Sequence, residues 1–136
     1  MSASDLVPRT ARVAYAALAW VFVACLVIQL FLVGLDIFEV TPDSELHRDF
    51  AYLYGWLAPL LVLLAVAGKL PAGRQALTVA LLVLFALQTY LPTLAPEAPL
   101  LAATHAVNAL ALWWLAVVLA MASRSELVSL TTNGGQ

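Results

Sequence analysis

Residues 100–122 read LLAATHAVNALALWWLAVVLAMA, an apolar stretch without a single charged side chain. A helix needs roughly 20 such residues to cross about 30 Å of hydrocarbon. The whole chain has the same character, because 64% of its 136 residues are hydrophobic and only 10% are charged. A soluble domain of this length could not bury that much apolar surface, whereas a bilayer solvates it directly. We therefore expect an all-α integral membrane protein.

Three more apolar runs precede this one, and short polar or proline-bearing segments separate them. The runs are continuously apolar rather than alternating, which favours helices over the strands of a membrane barrel. Residues 1–136 are expected to form one domain, a four-transmembrane-helix up-down bundle with helices over about 13–34, 42–68, 75–91 and 99–122. The tails, residues 1–8 and 125–136, are predicted to be disordered. We find no internal repeat in the sequence, and no small-residue cleavage site follows the first run, which we expect to be retained.

The basic residues predict the orientation of the bundle. All but one of them fall in the N-terminal tail, the second loop or the C-terminal tail, namely Arg9, Arg12, Lys69, Arg74 and Arg124. The positive-inside rule then places the N- and C-termini in the cytoplasm and the first and third loops outside. We expect a multi-pass protein of the plasma (cytoplasmic) membrane of a prokaryote, with the lipid bilayer as its first partner. The net charge of −2 gives no basis for binding nucleic acid.

The two histidines of the chain are predicted to lie at the same depth. Thr41–Pro42 fits an N-cap followed by proline at the first helical position, and Pro99 can begin the fourth helix in the same way. His47 and His105 are then five and six residues into their helices, roughly 8 to 9 Å below the helix starts at about 1.5 Å per residue. The second and fourth helices of an up-down bundle are diagonal partners. If the second helix instead begins near Asp49, His47 lies in the outer loop.

Further polar residues of the spans gather at this level. Gln29 lies near the outer end of helix one, Gln88 near the outer end of helix three, and Asn108 one turn below His105. Uncompensated polar groups are costly in hydrocarbon, so their clustering indicates a shared pocket. Each amide alone could also be an interhelical hydrogen-bond partner, worth about 0.6 to 2 kcal/mol. Arg48 is either a water-facing charge or a counter-ion for an anionic ligand.

Two neutral imidazoles leave few metals to choose from. Zinc takes four protein ligands in a structural site, or three and a water in a catalytic one. Haem brings four equatorial nitrogens of its own, so two axial histidines complete its iron. We therefore expect haem b, with His47 and His105 as metal ligands and Arg48 near the propionates. Gln29, Gln88 and Asn108 could orient the imidazoles through hydrogen bonds. Tyr54 and the four tryptophans are expected to pack or to face lipid.

The same residues resemble a known family. Gln29 with Gly34, the stretch Glu45-Leu-His47-Arg48, Gln88 and His105 resemble one four-helix half of the haem A synthase-like membrane family. They also resemble a family of small, uncharacterised four-helix membrane proteins with a Q…G…HR…Q…HxxNA pattern. The resemblance covers about residues 13–122 and implies a histidine pair on the second and fourth helices near the outer face.

The departures from the haem A synthase pattern bear on catalysis. Only one half is present, and the outer-loop cysteine pair found in many members is absent. The family's catalytic carboxylate stands three residues before the helix-two histidine, where this chain has Ser44, with Glu45 one place nearer. Hydroxylation of haem is therefore unsupported. Since no phosphate loop, activated nucleophile or buried carboxylate pair is evident either, we lean against an enzyme.

The favoured interpretation is a b-type haem protein with bis-histidine ligation near the outer leaflet, which transfers electrons or holds haem. A redox partner, a quinone or a neighbouring membrane subunit is then expected. Two alternatives stay open. One is a haem-free structural or accessory subunit whose polar belt packs the helices. The other, ranked lower, is a small transporter, because no charge lies deep in the membrane to mark an ion path.

Overall fold

The computed structural model describes residues 3–40 and 45–133, which are almost entirely helical. The helices are α1 (Ala3–Ile37), α2 (Leu46–Gly55), α3 (Leu57–Ala67), α4 (Ala72–Tyr90), α5 (Pro99–Ala122) and α6 (Arg124–Asn133), and α4 continues into a 3-10 turn at Leu91–Leu94. Four stretches are long and apolar enough to cross a membrane, and we call them spans 1 to 4: Leu6–Ile37, Leu46–Ala67, Ala72–Leu94 and Pro99–Ala122. The predicted all-α class and the four long apolar helices are confirmed.

The four spans form a bundle in which each packs beside its neighbours along the chain. Helix α1 packs on α3 and α5, and α4 packs on the same two helices from the other side. Span 4 therefore closes back on span 1. Spans 2 and 4, which carry the two histidines, lie diagonally across the bundle, as expected for short connections between antiparallel helices.

Small side chains fill much of the bundle interior. The alanines with at most 3% exposure are Ala16, Ala19, Ala58, Ala65, Ala116 and Ala120. Large apolar side chains such as Leu30, Leu63 and Trp114 are instead exposed on the outside. Small residues at helix interfaces let backbones approach closely, which is typical of helices that pack within lipid.

Helix α1 runs past its predicted end at Gly34 and stops at Ile37. Glu39 has a positive φ of 53°, and the Val40 N–H donates to the Leu35 carbonyl at 3.0 Å. A left-handed residue with this six-to-one hydrogen bond ends many helices, most often with glycine in that position. The preference for glycine pointed to Gly34, whereas the left-handed residue that ends the helix is Glu39, five residues further along the chain.

Span 2 begins at Leu46, and the predicted cap Thr41–Pro42 lies outside the described residues. His47 is therefore the second residue of α2, whereas His105 is the seventh of α5. The two histidines are thus not equally far from the starts of their helices, so this distance does not give their relative depth. The depth of a residue depends on how the helices are offset in the bundle, and that offset brings both histidines to one cavity, as described below.

A break at Trp56 divides span 2 into α2 and α3. Pro59 lies four residues after Gly55, so it has no N–H to donate to the Gly55 carbonyl and its ring crowds that group. Proline is the usual cause of such an interruption. The sequence contained this signal, although a single helix over 42–68 was predicted.

The remaining helix bounds differ modestly from those predicted. Span 3 begins three residues before residue 75, at Ala72, and its last turn tightens into the 3-10 turn that contains Pro92. Span 4 has the predicted bounds, 99–122. The predicted disordered tails are helical where they are described: residues 3–8 belong to α1, and residues 124–133 form α6, which packs against α1. The polar composition of α6 gave no sign of a helix, because α6 is held by its contact with α1, which is distant in sequence.

Gly55 lets span 2 approach span 3 closely. A Cβ at Gly55 would lie 2.8 Å from the ring of Phe85, a distance that real contacts do not show. The Phe85 ring cannot yield easily, because it packs edge-on against Phe22 and Tyr54, with ring centroids 6.0 and 5.5 Å away. By contrast, a Cβ at Gly34 would meet nothing within 4 Å.

We predict that Gly55→Ala destabilises the protein by about 1–3 kcal/mol relative to Gly34→Ala, because an extra methyl in a packed interior forces strain. Gly34→Ala should be neutral or stabilising, since alanine is the better helix former. Unfolding in detergent, followed by circular dichroism, measures both variants. Equal stabilities would show that the Gly55–Phe85 approach is not a tight contact.

Candidate functional site

A cavity of about 660 Å³ lies among the spans near the end of the bundle where α2 and α5 begin. This volume falls in the range of about 300–1,000 Å³ that is typical of small-molecule and cofactor sites. All four spans contribute to its mostly apolar wall, which includes Leu26, Leu30, Val33, Ala51, Tyr54, Phe85, Leu112 and Trp113. Leu30 and Trp113 are also exposed on the bundle surface, so the cavity opens sideways between helices.

Five of the six predicted site residues line this cavity: Gln29, His47, Arg48, Gln88 and His105. The two imidazoles come from the diagonal spans 2 and 4. The sixth residue, Asn108, donates a hydrogen bond to Gln88. The structure therefore brings the predicted polar residues together at one level.

The hydrogen bonds around His105 define its tautomer. Asn108 Nδ2 donates to the Leu84 carbonyl at 2.9 Å, which fixes the Asn108 amide because a carbonyl can only accept. The same Nδ2 donates to Gln88 Oε1 at 2.6 Å, so Gln88 must present its NH₂ group to His105 Nε2, 3.1 Å away. His105 Nε2 thus accepts, and its Nδ1–H donates to the Gln88 carbonyl at 2.9 Å.

Gln29 holds His47 from the neighbouring span. Gln29 Nε2 donates to the His47 carbonyl at 2.8 Å, so this amide nitrogen faces the histidine. It also lies 2.9 Å from His47 Nδ1 and 3.3 Å from His47 Nε2, so the amide packs over the face of the imidazole. Gln29 Oε1 is buried and has no hydrogen-bond partner. His105 has one nitrogen that accepts from an amide and one that donates to a carbonyl, so its ring is neutral in this arrangement.

The two helical hairpins of the bundle contain the same glutamine–histidine contact. In each helical hairpin a glutamine near the end of the first helix bonds to a histidine near the start of the second. Gln29 and His47 are 18 residues apart, and Gln88 and His105 are 17 apart. The sequence contains this spacing, although no internal repeat was recognised, because only two residues of each hairpin share it.

Arg48 lines the cavity but is already paired. Its guanidinium donates to Glu45 Oε2 at 2.7 Å and lies 3.4 Å from Asp49 Oδ1. More than half of each of these side chains is exposed, and such surface ion pairs are weak. Arg48 could therefore exchange partners at little cost.

Aromatic rings close the cavity toward the bundle interior. The Tyr54 ring packs edge-on against Phe22 and Phe85, with centroids 5.6 and 5.5 Å away. Tyr54 and Trp113, which were expected only to pack or face lipid, also line the cavity. The lining residues Tyr52, Thr89 and Thr93 were not anticipated. Of these three, only Tyr52 could have been predicted from the sequence, because it follows Arg48 by four residues and so lies on the same helix face.

Within residues 3–40 and 45–133, no group of three or more His, Cys, Asp or Glu side chains is placed to hold a metal ion. A zinc or other bare metal centre built from protein ligands alone therefore has no donor set in that part of the chain. The donor set of the cavity is two imidazoles within apolar walls.

Fold and cavity define an all-α protein with four candidate membrane spans and a site that holds two histidines. Residues 29–95 match the model of a family of unknown function (DUF6220), over a little under half of the chain. The matched segment contains Gln29, His47 and Gln88 and ends before His105. No curated protein and no solved structure matches the chain. The resemblance to the haem A synthase-like family stays a prediction.

We predict that Asn108→Ala lowers the free energy of unfolding by about 1 kcal/mol, because it removes the donor that joins span 4 to the Leu84 carbonyl and to Gln88 in span 3. Thr104→Ala is the matched control, since the exposed Thr104 hydroxyl bonds only to the Leu101 carbonyl of its own helix. Denaturant unfolding in detergent measures both. A loss in Thr104→Ala as large as in Asn108→Ala would contradict a special role for the amide.

Proposed function

We propose that this protein binds one haem b in the cavity, with His47 and His105 as axial ligands, and that it transfers electrons or holds haem. The observation that carries the proposal is that two imidazoles, from diagonal spans, line one largely apolar cavity. Bare metal ions need more protein ligands than this, whereas a porphyrin supplies four nitrogens itself and favours apolar walls.

The residues of the cavity fit this cofactor in three respects. The His105 imidazole is neutral, as a ligand to iron must be. His105 donates Nδ1–H to a backbone carbonyl, the usual support for a ligating histidine. Arg48 lies at the exposed edge, where a guanidinium could neutralise the carboxylates of the cofactor. Bound haem would supply reversible one-electron chemistry at its iron.

The chain's own residues would have distinct roles toward this cofactor. Gln88 and Asn108 hold His105 in one tautomer and orientation. Tyr54 and Phe85 keep water from the inner side of the cavity. If His47 and His105 both held the iron, electron transfer or haem holding would be favoured over chemistry that needs an open iron site. A quinone or a neighbouring membrane subunit is then the expected redox partner.

The haem proposal is tested by visible spectroscopy of the detergent-purified full chain, from cells given ample haem precursor and after addition of haemin. We expect a sharp Soret band and, after dithionite reduction, resolved α and β bands. The double variant His47→Ala/His105→Ala should lack them, whereas Thr104→Ala should retain them, because the Thr104 side chain does not line the cavity.

A colourless wild-type protein that takes up no haemin would contradict this function. The polar cluster would then serve helix packing in a haem-free structural subunit, for which the complete hydrogen bonding of His105 is the supporting observation.

The proposed function includes insertion in a membrane with both termini in the cytoplasm. The basic residues Arg12, Lys69 and Arg74 lie at the end of the bundle opposite the cavity, which supports that orientation under the positive-inside rule. The cavity then opens near the outer leaflet. A prokaryotic plasma membrane is the setting we propose.

Orientation is tested with single cysteines in a Cys25→Ser background, at the exposed positions Glu97 and Ala72, which lie at opposite ends of the bundle. In right-side-out vesicles, a membrane-impermeant maleimide should label Glu97→Cys directly and Ala72→Cys only after permeabilisation. The reverse pattern would mean that the cavity faces the cytoplasm.

A further inference from the structure

The cavity lies between the two helical hairpins of the bundle. At the level of the cavity, Gln29 and His47 join span 1 to span 2, and the bonds of Gln88 with His105 and Asn108 join span 3 to span 4. The seams between spans 2 and 3 and between spans 4 and 1 are different. No side-chain hydrogen bond crosses either of them among the described residues that line the cavity. The cavity is therefore a slot with two open sides.

The seam between spans 2 and 3 carries polar side chains. Successive residues of a helix point about 100° apart. Arg48 follows His47 by one residue, so it points away from span 1 and toward span 3. Thr89 follows Gln88 by one residue, so it points away from span 4 and toward span 2. We call this side the polar seam; its lining residues are Arg48, Tyr52, Thr89 and Thr93.

The seam between spans 4 and 1 carries large apolar side chains. Leu30 follows Gln29 by one residue, so it points away from span 2 and toward span 4. We call this side the apolar seam; its lining residues are Leu30, Leu110 and Trp113. Helices α1 and α5 pack against each other along this side of the bundle.

The break at Trp56 leaves the polar seam less closed by packing. Helix α3, after the break, packs on both α1 and α4. Helix α2, before the break, packs on α1 and has no comparable packing against α4 within the part of the chain that the structure describes. The half of span 2 that carries His47 is therefore not held against span 3.

The polar groups at this seam do not tie the two spans together. The Arg48 guanidinium donates to Glu45 on its own side of the seam. The hydroxyls of Thr89 and Thr93 donate to the carbonyls of Ala86 and Tyr90, three residues before each of them. A molecule that passes between α2 and α4 thus breaks no hydrogen bond between helices.

We propose that the polar seam is the entrance of the cavity, through which a flat, lipid-soluble molecule slides sideways between the two hairpins. The apolar seam then closes the far side of the slot. The position of the entrance is independent of haem, whereas the identity of the flat molecule as haem rests on the proposed function.

The entrance is tested without haem, by the rate at which the small neutral reagent N-ethylmaleimide alkylates a cysteine inside the cavity. The full chain in detergent carries Ala109→Cys, at a position that lines the cavity, in a Cys25→Ser background. Tyr52→Ala removes a ring from the entrance, so alkylation should become several-fold faster. Thr93→Trp adds a ring there, so alkylation should become several-fold slower.

Two control variants make the test specific. Leu30→Ala opens the apolar seam in the same way and should not change the rate. Thr104→Trp repeats the other substitution at an exposed residue outside the cavity and should not change it either. Circular dichroism checks that each variant is folded, and Tyr52→Ala keeps the test decisive if Thr93→Trp does not fold. An acceleration by Leu30→Ala as large as that by Tyr52→Ala, or no change in either entrance variant, would overturn the proposal.

Haemin uptake extends the test to the proposed cofactor. In the native-cysteine background, Tyr52→Ala should make the Soret band of bound haem appear several-fold faster and leave the final spectrum unchanged, because Tyr52 is not a proposed ligand. Leu30→Ala should keep the wild-type rate. Faster uptake in Leu30→Ala alone would place the entrance at the apolar seam.

The failures of the two proposals can be told apart. If the wild type takes up no haemin but the alkylation rates follow the polar seam, the haem function fails and the entrance stands. If the wild type gives a bis-histidine spectrum but the alkylation rates follow the apolar seam, haem binding stands and the entrance fails.

Discussion

The architecture depends on one constraint, which is that polar groups within long apolar helices must find their hydrogen-bond partners inside the protein. The chain meets it by pairing each histidine with a glutamine on the preceding span. Gln29 Nε2 lies 2.9 Å from His47 Nδ1, and Gln88 Nε2 lies 3.1 Å from His105 Nε2. Because each pair joins the two helices of one hairpin, the same bonds fix the offset of neighbouring helices and bring both imidazoles to one depth. A cavity lined by two imidazoles follows from that arrangement.

Packing around the cavity supports this arrangement. Alanines in the bundle interior let the helices approach closely, and the absent side chain of Gly55 leaves room for the Phe85 ring. Phe85 and Tyr54 then close the cavity on its inner side. Toward the surface the wall is incomplete. Arg48 lies there in exposed ion pairs with two carboxylates, which another anion could replace. The cavity is thus apolar within and charged at its rim. A flat cofactor with carboxylates needs such surroundings, and this match is the physical basis of the proposed function.

Much of this could be predicted from the sequence, and the reasons for the failures are physical. Hydropathy revealed four helices, since length and continuous apolarity are local properties. The cost of polar groups in hydrocarbon identified Gln29, Gln88 and the histidines as one cluster. Which glutamine bonds to which histidine could not be predicted, because that depends on how each hairpin aligns its helices. Helix α6 was missed for a similar reason, since its contact with α1 is distant in sequence. The break at Trp56, in contrast, had a local cause in Pro59 that the sequence displays.

The central claim is that two imidazoles from diagonal helices serve one ligand between them. Low-temperature electron paramagnetic resonance of the oxidised, haemin-loaded protein, with ¹⁵N confined to the histidines, tests it most directly. The account predicts a low-spin ferric signal with hyperfine coupling to two histidine nitrogens, absent in the double variant His47→Ala/His105→Ala. A ferric signal without coupling to any histidine nitrogen would contradict the account.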